Sequence, residues 1–180
     1  MVGINVMNDS SRYIFGYIVG VGLFYLAIPA FLVCLHLLTF PLFPHPLLAL
    51  AWLRYGLIAL LLFVGLGFAV WSNIALRLIG RGGPTDGFDK AITPRTQKLV
   101  TTGPYRYTRN PMAFGTFLCY IALGLILNSV VVLVFIAIIM PISLVYIKRF
   151  EELRLARDFG DEFREYKKRV PMFFPWRIRK

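Results

Sequence analysis

Two short stretches hold most of the side chains in this 180-residue chain that could do chemistry. The first runs from Leu99 to Pro111, Leu-Val-Thr-Thr-Gly-Pro-Tyr-Arg-Tyr-Thr-Arg-Asn-Pro, and ends at the start of an apolar run. Pro111 suits a first helical turn, where its missing N–H costs nothing, and Asn110 is a competent N-cap. Arg109 then stands where a membrane helix meets water. The second stretch begins with Glu151-Glu152, continues through Phe159-Gly160-Asp161-Glu162-Phe163, and ends with Glu165-Tyr166-Lys167-Lys168-Arg169-Val170-Pro171. Adjacent carboxylates just beyond an apolar run are costly near bilayer depth unless paired. Arg109 and Arg169 are candidate partners across the fold, while Lys148 and Arg154 offer local helical pairs worth only a few tenths of a kcal/mol.

The elements that must position these residues are hydrophobic. The chain is 58% hydrophobic, too apolar for a soluble domain of this size. Its formal net charge of +11 is excluded from the apolar runs and crowds into the segments between and after them, a pattern of membrane topology rather than nucleic-acid binding. Tyr13 to Phe40 is long enough to span a bilayer, and too long for the core of a cleavable signal peptide. Pro41, Pro44 and Pro46 then force a turn. A second helix is expected from about Leu48 to Leu78, with Arg54 near its start and Trp52 and Trp71 as interface anchors.

From Gly80 to Arg109 the composition turns to Gly, Pro, Thr and charge, including Arg81, Lys90, Arg95, Lys98 and Arg106. Met112–Leu127 and Val130–Ile147, divided by Asn128 and Ser129, predict a tight helical hairpin. Beyond Lys148, Leu155, Phe159, Phe163, Tyr166 and Val170 recur as one apolar helical stripe with a break at Gly160. The fold class expected is therefore all-α integral membrane: about four transmembrane helices, the last two a hairpin, plus a cytosolic C-terminal helical segment. Residues 1–98 would supply two helices and a loop, and residues 99–180 the chemistry, as one functional unit.

The 39–47 turn and the 128–129 turn carry no Lys or Arg. The positive-inside bias thus places the N-terminus, the 80–109 loop and the C-terminus in the cytoplasm, which brings both reactive stretches to one face. Cys34 and Cys119 lie inside apolar runs without spaced partners, so neither a disulfide framework nor a thiolate metal site is expected. His36 and His45 are isolated, and no metal is assigned. Gly16 and Gly20 form a small-residue face more suited to packing within the chain than to dimerisation.

Taken jointly, Gly103-Pro104-Tyr105, Arg109 with Pro111, Gly115, Glu151-Glu152, Phe159-Gly160 and Glu165 to Pro171 resemble the isoprenylcysteine carboxyl methyltransferases and the related membrane phospholipid methyltransferases. The resemblance covers about Leu99 to Trp176. It implies an enzyme using S-adenosylmethionine without a Rossmann domain, and no strand followed by Gly-x-Gly-x-x-Gly occurs here. By match, Gly103, Pro104, Tyr105, Arg109, Asn110, Pro111, Glu151 and Glu152 would form the cofactor site. Arg109, Glu152, Tyr166 and Arg169 would be catalytic, with Tyr166 and Arg169 holding the carboxylate or polar head of a lipid-like or prenylated substrate. The family's His before the proline is Asn110 here, and its Tyr two residues beyond is Ala113.

Methyl transfer from a sulfonium needs alignment and exclusion of water. A carboxylate acceptor needs only orientation by Arg or Tyr, and the Tyr166 to Pro171 match favours carboxyl O-methylation. An amine acceptor needs a base, for which Glu151 and Glu152 are the local candidates. Two other readings compete: an NADPH-dependent enzyme like the sterol reductases, although those chains are longer, and a non-catalytic protein whose basic C-terminal helix binds anionic lipid.

Overall fold

In the computed structural model, residues 9–43, 47–48, 50–83, 86–87, 90–91 and 93–175 are described. His45, Pro44, Pro46, Trp176 and the side chain of Lys90 lie outside them. Among the described residues the regular structure is helical apart from a short antiparallel ribbon, β1 (Asp86–Gly87) with β2 (Lys90–Ala91), in the long loop.

The first helix is continuous from Asp9 but not uniform: α1 (Asp9–Val21) passes through a π-helical segment, Gly22–Ala27, into α2 (Ile28–Thr39). Pro29 accounts for the defect, because it removes one helical N–H. In the π register the N–H of Ile28 reaches back five residues to Leu23 O. The donor missing at Pro29 is thus the one Phe24 O would have received, and Tyr120 Oη donates to Phe24 O instead at 2.8 Å. A lipid-facing helix cannot leave that carbonyl to water.

α3 (Ala51–Leu78) and α4 (Pro111–Ile126) form the closest helix pair. Gly65 and Gly115 make it possible: a Cβ on Gly115 would lie 2.4 Å from Gly65 O, and one on Gly65 would lie 2.8 Å from Gly115 O. Small residues at such a crossing let backbones touch where no hydrophobic force drives association. The hairpin follows as expected. Asn128 adopts φ 51°, in the left-handed region it tolerates, and Ser129 Oγ caps α5 (Val130–Tyr146) by accepting from Val132 N at 3.3 Å.

Among the described residues, three helices are long and apolar enough to cross a membrane: Ser10–Thr39, Ala51–Leu78 and the rod containing α5, Val130–Arg169. The fourth expected span, α4, has 16 residues, roughly 24 Å against a hydrocarbon core of about 30 Å. The C-terminal segment is no separate unit. After α5 a second π segment, Ile147–Glu151, leads directly into α6 (Glu152–Arg169), and the break falls at Gly160, at φ 51° and ψ −122°.

Large apolar side chains face outward, with Phe63 81% exposed alongside Leu38, Ile138 and Ile142, as lipid contact requires. The core gathers Leu32, Phe114, Phe117, Tyr120, Val132, Ile136 and Phe173. Gly16 is not a dimer face in this packing, since its Cα hydrogen side meets Thr93 of the long loop. Cys34 and Cys119 are free thiols, and His36 packs edge-on against Phe40.

Candidate functional site

One end of the bundle is built by tying the 103–111 segment to the C-terminal helix. Gly103 enters the segment at φ 62°, a conformation that favours glycine, with its Cα against the Trp71 indole. A 3-10 turn, Gly103–Arg106, follows with Pro104 buried at its start. Tyr166 Oη donates to Tyr105 O at 2.6 Å, and Arg109 N donates to Pro171 O at 3.0 Å. Thr108 Oγ1 and Asn110 Nδ2 both donate to Met172 O, at 3.2 and 2.8 Å. Asn110 therefore makes no side-chain cap on α4, contrary to expectation. Its amide is a strap: Nδ2 donates to the Met172 carbonyl, and Oδ1 accepts from no helical N–H. Phe173 then plugs into the core between Phe114 and Phe117.

Within this frame lies a buried ionic group. Arg109 Nη1 and Glu152 Oε1 form a close ion pair, with side chains only 9% and 5% exposed. The other oxygen, Glu152 Oε2, accepts from Lys167 Nζ at 2.7 Å. Arg109 Nε is buried with no hydrogen-bond partner among the described residues. Burial pulls the Arg109 pKa down, opposed by the charge of Glu152 and by Tyr166. These partners are long-range, so the local helical pairing with Lys148 or Arg154 is not what holds Glu152.

Glu151 differs from its neighbour. It is half-buried, lies beyond the apolar stretch of α5, and makes no ion pair or hydrogen bond with a described residue. Burial and the adjacent Glu152 carboxylate push its pKa up to about 7. Tyr105 stands close enough to feel both Glu151 and Tyr17 of α1. Its pKa is raised, by burial first and by those two oxygens second. Tyr166 is also raised, by burial and then Tyr105, while Arg109 works against it.

The structure thus brings Tyr105, Arg109, Glu151, Glu152 and Tyr166 together, with Gly103, Pro104, Asn110 and Pro111 framing them. It does not bring Arg169, which is exposed with Nε on the carbonyl of Glu165 in its own helix. The apolar stripe is occupied internally: Phe163, Tyr166 and Val170 are buried with Leu99, Leu155, Ala156 and Phe159 around them. Sequence reasoning gave no role to Lys167, Thr108 or Tyr17. Lys167 lay inside the matched Glu165 to Pro171 run without a role of its own, and Thr108 could have been noticed only as a hydroxyl inside the Tyr-Arg-Tyr-Thr-Arg-Asn-Pro run. Among the described residues no group of three His, Cys, Asp or Glu side chains could hold a metal ion.

Comparison with known proteins adds a family. The family model described as phospholipid methyltransferase matches residues 53–162. The nickel-cobalt-cadmium resistance protein NccN of Alcaligenes xylosoxydans xylosoxydans is 33% identical over 81 residues, 45% of this chain and 38% of that protein. The cobalt-zinc-cadmium resistance protein CzcN of Cupriavidus metallidurans is 35% identical over 81 residues, 45% of this chain and 37% of that protein. The chain thus matches less than two fifths of the length of either relative. No solved structure matches.

Proposed function

Because this chain belongs to the phospholipid methyltransferase family, we propose that it is an S-adenosylmethionine-dependent methyltransferase of the membrane, acting on a lipid-like or prenylated acceptor. The observation that carries this reading is the buried Arg109–Glu152–Lys167 group at the end of an apolar bundle, with Arg109 Nε lacking a partner. A buried guanidinium N–H without an acceptor is costly. A ligand carboxylate would satisfy it, and Glu152 beside it suits a ligand ammonium. S-adenosylmethionine carries both groups on its amino-acid end, so the residues present fit it.

When bound, the cofactor would supply an electrophilic methyl on a sulfonium. The protein's own part is positioning and shielding. Tyr166 fixes the Tyr105 turn through its carbonyl, and Met172 fixes Thr108 and Asn110, so that Arg109 is held on a strapped segment. Phe114, Phe117 and Phe173 keep water from the apolar side.

The distribution of Lys and Arg supports N- and C-termini in the cytoplasm, with the cofactor side of the site facing that compartment. A membrane location suits an acceptor carrying acyl or prenyl chains. Carboxyl O-methylation assigned the hold on the acceptor to Tyr166 and Arg169. The Tyr166 hydroxyl is engaged by Tyr105 O, and Arg169 stands outside the group, which weakens support for that choice. The lipid-surface reading needs a free apolar stripe, and that stripe is packed inside.

Calorimetric titration of the detergent-purified protein with S-adenosylmethionine and its demethylated product is the test. Saturable binding is expected for the wild type, with loss in Arg109→Ala and Glu152→Ala that remain folded by circular dichroism. A folded wild-type protein that binds neither would overturn the proposal.

A further inference from the structure

We infer that Arg54, held by Tyr55 at the start of α3, binds the phosphate of a glycerophospholipid in the leaflet opposite the ionic group. The inference concerns the other end of the bundle and is independent of the methyltransferase reading.

It begins with a charge that has no counter-charge. Arg54 is the one Lys or Arg between residues 13 and 76, and no Asp or Glu occurs from residue 10 to 85 or from 110 to 150. Those runs supply the end of the first helix, the start of α3, the end of α4 and the start of α5. No carboxylate of these helices can therefore reach Arg54.

The hairpin turn identifies this end. Leu48 N donates to Asn128 Oδ1 at 3.1 Å, which sets the start of α3 beside the 128–129 turn, whereas Trp71 near its other end meets Gly103 of the site. The next cation along α3 is Arg77, twenty-three residues on, about 35 Å along a helix that rises 1.5 Å per residue. That distance slightly exceeds a hydrocarbon core of about 30 Å. The two arginines of α3 thus stand at the two headgroup levels.

The chain orients the guanidinium without neutralising it. Arg54 Cζ lies 5.0 Å from the centre of the Tyr55 ring, and Nη2 donates to Tyr55 Oη at 3.2 Å in a contact at the protein surface. Nε is buried and has no acceptor among the described residues. A neutral ring and a neutral hydroxyl restrict the head before any ligand arrives, which lowers the ordering cost of binding. Leu50, Trp52, Leu53, Tyr55 and Leu57 are exposed around it, Trp52 by 73%. The surroundings are lipid, with aromatic rings at the level where they favour the interface.

An arginine here runs against two tendencies. In the topology proposed above, the positive-inside bias keeps cations from this side, and a cation in the first turn of a helix opposes its dipole. α3 has no acidic residue in that turn and no side-chain cap from Leu50. One anion beside Arg54 would relieve both. With protein carboxylates excluded, the anion that a bilayer offers at this depth is the lipid phosphodiester. A guanidinium matches its oxygens as a planar fork of N–H donors, and the acyl chains can lie along the exposed apolar face of α3.

Native mass spectrometry of the full chain, released from neutral-detergent micelles with increasing dioleoylphosphatidylglycerol, tests the site. The wild type should hold one more lipid than Arg54→Gln at the same lipid concentration, because the basic end beside the ionic group contributes equally to both. The missing event should be weaker by about tenfold or more. Arg54→Lys keeps the charge without the fork and should bind several-fold more weakly than wild type. Dioleoylglycerol, with the same chains and no phosphate, should not fill the site, and inorganic phosphate should not empty it. Equal lipid counts in the wild type and Arg54→Gln would overturn the proposal, as would wild-type affinity in Arg54→Lys. Filling by dioleoylglycerol would overturn it through the phosphate, and displacement by inorganic phosphate at the lipid's own concentration would make this a site for a free anion instead.

Discussion

The phenol of Tyr120 in α4 donates to the carbonyl of Phe24 in the first helix at 2.8 Å, and Phe24 O is the acceptor that Pro29 leaves without its N–H. A helix defect and a tertiary contact are thus one feature. Tyr25 Oη and Thr116 Oγ1, 3.3 Å apart, add a second polar contact between the same helices.

Tyr120→Phe should destabilise the protein by about 1 kcal/mol, the scale of hydrogen bonds between membrane helices. Restoring the donor with Pro29→Ala should make Tyr120→Phe nearly neutral, because Phe24 O then has an N–H available. Reversible unfolding of the four proteins of this double-mutant cycle in detergent measures the coupling. A Tyr120→Phe cost unchanged by Pro29→Ala would separate the two features.

The contact of α3 with α4 depends on the absence of a Cβ. A methyl on Gly115 would lie 2.4 Å from Gly65 O and 2.8 Å from Ala69 N, both backbone atoms that cannot swing aside. Gly115→Ala should cost about 1–3 kcal/mol as the helices separate. Gly67→Ala on the same α3 is the control, since its Cβ meets nothing within 4 Å. It should be neutral or stabilise slightly by helix propensity. Thermal aggregation curves in detergent would rank the two variants, and equal effects would contradict the crossing.

Arg109 and Glu152 are coupled through burial. Removing one partner leaves the other charged in a desolvated place, so Glu152→Gln should cost about 3–5 kcal/mol, softened to the extent that Arg109 draws in water. The double variant Arg109→Met with Glu152→Met should recover much of that stability, since a pair replaced by apolar side chains loses its desolvation cost as well. It should not recover cofactor binding. Lys167→Ala should matter far less, because Lys167 is 45% exposed. Denaturant unfolding beside calorimetry separates the two effects.

Much of this fold could be read from the sequence because its strongest signals are periodic or compositional. Long apolar runs gave the helices, Asn128-Ser129 gave the hairpin, and the stripe from Leu155 to Val170 gave the buried face of α6. What could not be read depends on register and on long-range partners. Nothing local announces the second π segment, Ile147–Glu151, which leads directly into the helix that carries Glu152. Lys167 lies fifteen residues from Glu152 and looks like any other basic residue of the tail. Arg169 shares the same matched run as Tyr166, but three residues further along the helix it emerges on the exposed side. Asn110 is a good cap by type, but its Nδ2 is tied to the carbonyl of Met172, distant in sequence, and its side chain makes no cap. The α4 span fell short because Pro111 fixes its start and Asn128 its end.

Stability should depend on pH through Glu151. Its folded pKa is raised to about 7 from an ordinary value of 4.5, so between those values the folded protein holds a proton that the unfolded chain has lost. The corresponding stability is fully present below about pH 4.5 and is lost as pH rises through 7. The slope is at most about 1.4 kcal/mol per pH unit, one proton's worth. Glu151→Gln cannot titrate and should flatten this segment of the curve, becoming more stable than wild type at pH 8 but not at pH 4. Unfolding midpoints measured across that range for both proteins decide the matter. A wild-type curve already flat between pH 5 and 7 would mean that Glu151 is charged throughout and finds a cation or water that relieves its burial.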